Sequence, residues 1–276
     1  MNYRDYISDP QRSCAVVVHR GIWEAAPENS LLAIECAITA GHRVVEIDVR
    51  RTADGALVLL HDDTLERMAG LKQQPEELPL HQVAGLKLRN RDGGVANMLT
   101  EEKLPTLNEV FELTRHRIFI HLDVKRREII PEVLALAQAM GVDQQVDFWS
   151  DLQTPQDLAW IRDVVEPHGV LFMPKTRLNA PDAAAQLDLV FDLSPAVCEL
   201  RHDTLDDITA VRERFAAAGI ALWCNTLDGV ACGGFTDTAA LEAPEEIWGT
   251  LIDAGVSVIQ TDHAGLLQVF VANRAT

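Results

Sequence analysis

Three side chains able to do acid–base or metal chemistry lie close together between positions 44 and 62 of the sequence. Glu46 and Asp48 are two residues apart in a run of strand formers, so they share one face of a strand whose other face is apolar. The Asp-Gly pair at positions 54 and 55 predicts a hairpin, and a two-residue turn there places Asp48 opposite His61. Side chains opposed in this way have Cβ atoms about 5 Å apart.

The chemistry that this arrangement suggests is metal binding combined with proton transfer. Two carboxylates this close repel each other unless a proton or a cation lies between them. A hard divalent cation fits between Glu46 and Asp48, and His61 beside it would act as an acid or base. A Glu-x-Asp pair is also common on solvated strand faces, and a single histidine near a hairpin is usually structural. The interpretation therefore needs support from other parts of the chain.

Further polar side chains follow other predicted strands. The first apolar run ends in His19 and Arg20, and the third predicted strand, residues 117–125, carries Asp123 and Lys125 on one face. Parallel barrel strands bring the residues at their carboxyl ends to one mouth of the barrel. We therefore expect these side chains to surround the same point as the carboxylates of the second strand.

The resulting cluster has the composition of a divalent cation site beside an anion site. Three carboxylates from adjacent strands fit Mg²⁺ or Ca²⁺, and the lack of thiolates in the cluster argues against zinc or an iron–sulfur site. Two histidines suggest a general acid paired with a general base, while an arginine and a lysine supply positive charge for an anionic substrate. The candidates are Glu46, Asp48 and Asp123 for the metal, His19 and His61 for proton transfer, and Arg20 and Lys125 for the anion.

The elements that must position these residues alternate between short apolar strands and helices. Eight strand–helix units follow one another when the Asp-Gly hairpin is set aside as an excursion. Strands separated by helices imply right-handed parallel crossovers, and eight such units in 276 residues predict an α/β fold, the (β/α)₈ TIM barrel. An open doubly wound sheet is the alternative, but no Gly-x-Gly-x-x-Gly follows the first strand.

One domain is predicted for residues 1–276, since the chain has neither an internal repeat nor a low-complexity linker. Between residues 63 and 104, prolines and glycines interrupt any regular pattern. We expect this segment to be a short, irregular hairpin and loop insertion after the second strand, too short for a second domain and placed over the site.

Charge and cysteine content limit the partners of the protein. With 24 basic and 42 acidic residues the net charge is -18, which argues against nucleic acid and anionic membranes as partners. No apolar run is long enough to span a bilayer, and the N-terminus lacks the apolar region of a secretory signal. Five scattered cysteines are typical of reduced thiols. The composition predicts a cytoplasmic protein without stable membrane insertion, and it leaves a homo-oligomer open.

Several short motifs resemble those of the glycerophosphodiester phosphodiesterase family. They follow the family's order and cover nearly the whole chain; each has little specificity alone, but the first four are specific as a set. The motifs are His19-Arg20-Gly21, Pro27-Glu28-Asn29-Ser30, Glu46-x-Asp48, His61-Asp62, Pro105-Thr106-Leu107, Asp123-x-Lys125, Trp223-Cys-Asn225 and Thr261-Asp262.

The resemblance implies a TIM-barrel enzyme whose small-molecule substrates are glycerophosphodiesters. Hydrolysis would give an alcohol and sn-glycerol 3-phosphate, with one divalent ion, Mg²⁺ or Ca²⁺, as cofactor. Position 123 departs from the family, which usually has Glu there, and the shorter Asp can still bind a metal but would shift it. The implied site residues are Glu46, Asp48 and Asp123 on the metal, His19 and His61 in catalysis, Arg20 and Lys125 on the phosphate, and Trp223 in the pocket wall.

Other functions are compatible with the same residues. A phosphodiesterase of this fold could act on a sugar or lipid-derived phosphodiester instead, and a noncatalytic phosphodiester-binding protein would keep the pocket but would not need two histidines. A barrel enzyme with Lys125 as Schiff-base or proton-abstracting lysine requires a pKa near neutral, whereas nearby carboxylates should keep that lysine protonated. The sequence leaves open the alcohol of the substrate, the identity of the metal and which histidine is the acid. It also leaves open whether water attacks directly or a cyclic phosphate forms first.

Overall fold

The computed structural model describes residues 2–274. Its strands are β1 Ala15–Val18, β2 Val44–Arg51, β3 Leu57–Leu59, β4 Lys87–Arg89, β5 Leu99–Lys103, β6 Phe119–Val124, β7 Val146–Asp151, β8 Leu171–Arg177, β9 Val197–Arg201, β10 Ala221–Asn225 and β11 Val256–Thr261. Its α-helices are α1 Tyr3–Ser8, α2 Leu31–Thr39, α3 Glu66–Ala69, α4 Leu80–Val83, α5 Leu107–Thr114, α6 Ile130–Ala139, α7 Pro155–Trp160, α8 Ala183–Leu193, α9 Leu205–Ala218, α10 Asp237–Glu242, α11 Thr250–Asp253 and α12 Ala264–Arg274.

The fold class is the predicted (β/α)₈ TIM barrel with surrounding helices, whose parallel strands are β1, β2 and β6 to β11. The chain divides into two compact units, which we call the site unit, residues 18–146, and the second unit, residues 1–17 and 147–276. The prediction of a single domain over the whole chain stays a prediction. Among the described residues, none of the helices combines the length and apolarity that crossing a membrane requires.

The central strand pair of the site unit is formed by β2 and β6. The two strands run parallel in unbroken register, which sets Asp48 beside Asp123 and Glu46 beside His121. Valine and isoleucine alternate with the polar residues of β2, and nearly every residue of the strand is buried, as in a strand covered on both faces. This register brings carboxylates from two strands together, as predicted.

The hairpin between β2 and β3 differs by one residue from the predicted register. Val49 pairs with Leu59, and the backbone N–H of Leu60 donates to the carbonyl of Asp48 at 3.2 Å. Leu60 therefore lies opposite Asp48, and the prediction that His61 does so was wrong. His61 follows the end of β3 instead.

A three-residue loop, residues 53–55, causes the shift. The backbone N–H of Thr52 donates to the carbonyl of Ala56 at 2.8 Å, and the Thr52 hydroxyl accepts from the backbone N–H of Ala56 at 2.9 Å. Gly55 takes a φ of +90°, the left-handed conformation that such loops require near their end. The Asp-Gly signal was correct for a hairpin, but the loop has three residues instead of the predicted two.

The inserted segment, residues 63–104, is more regular than predicted. It contains α3, α4 and an antiparallel pair of short strands, β4 and β5. Its apolar side chains form a cluster with residues of the hairpin, namely Val58, Leu60, Leu65, Met68, Val83, Leu88 and Leu104. The segment is thus fixed onto the site unit by a small core of its own.

The second unit continues the parallel strands from β7 to β11. Pairings run β7–β8, β8–β9, β9–β10 and β10–β11, all parallel. The sequence pattern predicts a helix over residues 179–187, whereas the observed helix, α8, spans Ala183–Leu193. Residues 179–182 form turns, and Ser194 ends the helix with a φ of +53°.

Candidate active site

Three carboxylates of the site unit converge on one point. Glu46, Asp48 and Asp123 each offer an oxygen atom, and these atoms lie within 4.8 Å of one another. Glu46 and Asp48 are 2% and 1% exposed, whereas the Asp123 side chain is 23% exposed. A single cation with metal–oxygen distances of about 2.0–2.6 Å can bridge such a set. The all-oxygen donor set fits Mg²⁺ or Ca²⁺.

The pKa values of the two buried carboxylates are shifted in opposite directions. Burial, together with the charges of Asp48 and Asp123, raises the pKa of Glu46 well above its usual value. Burial alone would also raise the pKa of Asp48, but the charges of Lys125 and Arg20 outweigh it and lower that pKa. An ionised Glu46 is thus disfavoured unless a proton or an additional cation lies beside it.

Two basic side chains surround Asp48. The Lys125 ammonium lies 2.6 Å from Asp48 Oδ1 and 2.6 Å from Asp123 Oδ2, and Arg20 Nε lies 3.1 Å from Asp48 Oδ2. Burial would lower the pKa of Lys125, but the charges of Asp48 and Asp123 raise it above the usual value. A lysine held protonated in this way is unsuited to Schiff-base chemistry, as predicted from the sequence.

A left-handed turn after β1 carries Arg20 into the cluster. Arg20 has a φ of +55°, and its backbone N–H donates to Glu46 Oε2 at 3.0 Å. The next residue, Gly21, has a φ of +81°, and a Cβ atom there would lie 2.7 Å from the carbonyl carbon of Ala33. Only glycine fits this close approach, and the strained conformation of Arg20 is of the kind found at functional sites.

Asn29 orients Asp48. Its Nδ2 donates to Asp48 Oδ2 at 2.6 Å, and its Oδ1 accepts from the backbone N–H of Asp48 at 3.0 Å. Ser30 caps α2, since its hydroxyl accepts from the backbone N–H of Ala33 at 3.1 Å. The side chain of Asn29 is therefore available to fix the carboxylate.

The two candidate histidines have different surroundings. His19 Nε2 lies 3.9 Å from Glu46 Oε2, and its side chain is 13% exposed. His61 is 40% exposed, and its Nδ1 lies 2.8 Å from Asp62 Oδ1. An ionised carboxylate only accepts hydrogen bonds, so Asp62 keeps the proton of neutral His61 on Nδ1. This leaves the Nε2 lone pair of His61 for proton transfer.

Sequence reasoning gave no role to three charged residues near the site. Glu28 accepts from Arg20, Asp62 accepts from His61, and Arg67 donates to both of these carboxylates. Glu28 and Asp62 belong to motifs noted in the sequence, which could have drawn attention to them. Arg67 lies in the segment predicted to be irregular and gave no signal.

Trp223 lies in the second unit, where it is buried. Its indole N–H donates to Asn225 Oδ1 at 2.7 Å, and Asn225 Nδ2 donates to Glu199 Oε1 at 3.3 Å. Glu199 Oε2 lies 3.3 Å from Lys175 Nζ, and that ammonium lies 3.6 Å from the centre of the Trp149 ring. The place of Trp223 in the pocket wall stays a prediction.

Comparison with known proteins shows sequence similarity over part of the chain. Residues 172–271 match a family described as a domain of unknown function. Glycerophosphodiester phosphodiesterase 1 of Mus musculus is 37% identical over 117 residues, which are 42% of this chain and 35% of that protein. A glycerophosphodiester phosphodiesterase of Caldanaerobacter subterraneus is 33% identical over 115 residues, 40% of this chain and 44% of that protein. The matches thus span less than half the length of these relatives.

Solved structures are similar over nearly the whole chain. A glycerophosphoryl diester phosphodiesterase from Parabacteroides distasonis has a TM-score of 0.76 at 22% identity, over 95% of this chain and 88% of that chain. A phosphodiesterase from Oleispira antarctica, in complex with the product sn-glycerol-3-phosphate, has a TM-score of 0.66 at 21% identity, over 93% of this chain and 96% of that chain. At sequence identities of 21–22%, the structural similarity shows that these proteins share the fold of this chain. The resemblance to the glycerophosphodiester phosphodiesterase family is therefore confirmed, in sequence over about two fifths of the chain and in fold over nearly all of it.

Proposed function

We propose that the chain is a metal-dependent phosphodiesterase that hydrolyses glycerophosphodiesters to an alcohol and sn-glycerol 3-phosphate. The observation that carries this proposal is the convergence of Glu46, Asp48 and Asp123 within 4.8 Å, beside two cationic side chains and His19. The relatives named as glycerophosphodiester phosphodiesterases support the choice of substrate class.

Glu46, Asp48 and Asp123 would together hold one Mg²⁺ or Ca²⁺ ion. Such an ion, when bound, supplies Lewis-acid stabilisation of the charge on a phosphate oxygen. The buried position of Glu46 and its raised pKa support this role, because a cation offsets the repulsion among the three carboxylates. Asn29, bonded to Asp48 through two hydrogen bonds, would keep one of the ligands in a fixed orientation.

Arg20 and Lys125 would bind the phosphate of the substrate. Both are mostly buried, and the charged group of each lies within 3.1 Å of an oxygen of Asp48. They provide local positive charge in a molecule whose net charge is -18. The guanidinium of Arg20 can form paired hydrogen bonds with phosphate oxygens, which a lysine cannot.

His19 and His61 would transfer the protons of the reaction. One takes a proton from the nucleophile, either water or a neighbouring glycerol hydroxyl, and the other gives a proton to the leaving alcohol. Attack by the hydroxyl forms a cyclic phosphate that water then opens. The Asp62 contact, which leaves Nε2 of His61 as the reactive nitrogen, supports the assignment of this histidine.

We include Trp223 in the substrate pocket, because the family resemblance implies it and its ring is held in one orientation by Asn225. We also propose a cytoplasmic location, which the five free cysteines support.

Hydrolysis of a panel of glycerophosphodiesters tests the proposal. The purified chain would be assayed with glycerophosphocholine, glycerophosphoethanolamine and glycerophosphoinositol, with EDTA and then with Mg²⁺ or Ca²⁺ restored. We expect release of glycerol 3-phosphate that EDTA abolishes and the metal restores. Folded, metal-loaded protein that hydrolyses none of them would contradict the proposed substrate class and leave a sugar phosphodiester or a noncatalytic binder as the alternatives.

A further inference from the structure

Arg67 joins two carboxylates that belong to different parts of the candidate site. Its Nη2 donates to Glu28 Oε1 at 2.6 Å and to Asp62 Oδ1 at 2.8 Å, and its Nε donates to Asp62 Oδ2 at 2.7 Å. Glu28 is only 3% exposed. One guanidinium group therefore neutralises a buried glutamate and holds an aspartate through two hydrogen bonds, which a smaller or less planar cation could not do at once.

Each of the two carboxylates holds a residue of the proposed mechanism. Glu28 accepts two hydrogen bonds from Arg20 Nη1, at 3.1 and 3.2 Å. Asp62 accepts a hydrogen bond from His61 Nδ1 at 2.8 Å. The chain of contacts from Arg20 through Glu28, Arg67 and Asp62 to His61 connects the proposed phosphate-binding arginine to a proposed catalytic histidine.

The inserted segment keeps Arg67 in place. The Arg67 carbonyl accepts from the backbone N–H of Gly94 at 2.7 Å, and its Nη1 donates to the carbonyl of Asp92. Gly93 has a φ of +75°, and a Cβ atom at this position would lie 2.7 Å from the Arg67 carbonyl oxygen. The loop at residues 92–94 thus closes tightly on both the backbone and the side chain of Arg67.

The charge balance agrees with this arrangement. Burial would raise the pKa of Asp62, but hydrogen bonds from His61 and Arg67 lower it well below the usual value. Asp62 is therefore an ionised acceptor at neutral pH, and it selects the Nδ1–H form of the neutral His61 ring.

We propose that Arg67 is a positioning residue that fixes the ring of His61, through Asp62, and the guanidinium of Arg20, through Glu28, in one arrangement. This inference rests on the proposed function for its catalytic consequence. It gives the inserted segment a role in the reaction, because the segment supplies the residue that couples the two groups. Loss of such a supporting contact typically lowers activity by about 10–100-fold.

The test compares Arg67→Ala with Lys87→Met, a control in the same inserted segment whose ammonium donates to the exposed Glu101 carboxylate. We expect Arg67→Ala to lower kcat by about 10–100-fold with a smaller change in KM, and guanidinium ion to recover part of the loss where sodium at equal ionic strength does not. Lys87→Met should match wild type. A folded Arg67→Ala protein with unchanged kcat, or a loss that guanidinium does not recover, would overturn the proposal.

Ring ¹⁵N spectra of histidine provide a readout that does not depend on turnover. In metal-free wild type at pH 8, with the His61 signals identified by their absence in His61→Gln, we expect the Nδ1–H form. Arg67→Ala should shift these signals toward a mixture of the two ring forms. If Arg67→Ala does not fold, Arg67→Lys replaces it, since lysine keeps the charge at Glu28 but cannot hold both carboxylates. Unchanged His61 signals in the folded variant would overturn the proposed role of Arg67. Absence of turnover in wild type would instead contradict the proposed function, and the spectra would still decide the role of Arg67.

Discussion

Glu46 and Asp48 illustrate how neighbours, rather than residue type, set the behaviour of a side chain. The two carboxylates are two positions apart and equally buried, yet the pKa of Glu46 is raised and that of Asp48 is lowered. Asp48 lies next to Lys125 and Arg20, whereas burial and two like charges act mainly on Glu46. The site therefore combines Asp48, whose charge is balanced by neighbouring cations, with Glu46, which favours a bound proton or cation.

Replacement of Glu46 by Gln should stabilise the metal-free protein at neutral and alkaline pH. The unfolded chain loses the Glu proton near pH 4.3, but the folded protein retains it to a higher pH, so the stability of wild type falls as the pH rises through this window. Gln does not ionise and avoids the loss. Thermal unfolding in EDTA at pH 8 should show a higher Tm for Glu46→Gln, by about 2–4 °C for each kcal/mol recovered. The exposed Glu112→Gln is the control and should match wild type; a Tm of Glu46→Gln at or below that of wild type would contradict the prediction.

Removal of either candidate histidine should lower turnover strongly. His19→Ala and His61→Ala each remove a proposed proton-transfer group, and such groups typically contribute about 10²–10⁴-fold to the rate. The exposed His81→Ala in the inserted segment serves as control, with kcat expected at the wild-type value. Steady-state kinetics with a glycerophosphodiester would check this. Unchanged kcat in either variant would remove that histidine from the mechanism.

The residues that could be predicted from the sequence share a local origin. Glu46 and Asp48 share a strand face, and Asp123 and Lys125 do so one barrel strand later, so strand periodicity together with the predicted parallel barrel was sufficient to bring them together. Arg67 could not be found in this way, because its contacts to Glu28 and Asp62 depend on how a segment of short elements folds back on the unit. Single-residue contacts across a long loop leave no periodic pattern.

At the scale of the element, the turn at Arg20 and Gly21 holds the first strand end against α2. Gly21→Ala would place a methyl group 2.7–2.9 Å from backbone and side-chain atoms of Ala33 in a left-handed conformation. We expect the substitution to cost about 1–3 kcal/mol in the free energy of unfolding, measured by denaturant titration. Gly85→Ala is the matched control, since a methyl group there meets no atom within 4 Å. Equal stability of the two variants would show that the close approach is absent in solution.

The elements themselves were predictable to different degrees. Strands of the barrel were located within a few residues, because apolar runs between helices are a strong signal. The hairpin was predicted correctly but its register was wrong by one residue, since the loop has three residues rather than two and is bonded internally by the Thr52 hydroxyl. Short elements such as α1, α3 and β4 escaped notice, because three to six residues are too few to show a period.

On the scale of the whole molecule, the alternation of strands and helices was sufficient to predict the (β/α)₈ fold. A net charge of -18 surrounds a proposed anion site that contains Arg20 and Lys125. Such a field attracts divalent cations and repels a free phosphodiester, so under the proposed function Arg20, Lys125 and a bound metal would together attract the substrate. The overall charge and the two cations of the site could be read from the sequence, whereas their contacts with Asp48 required the structure.

Calorimetric titration of Mg²⁺ and Ca²⁺ into the metal-free protein tests the central claim most directly, because the proposed chemistry depends on the cluster of Glu46, Asp48 and Asp123. One ion should bind per chain in wild type and in Glu112→Gln, and binding should be lost or greatly weakened in Glu46→Gln. Absence of binding to wild type, or undiminished binding to Glu46→Gln, would contradict the metal site and with it the proposed mechanism.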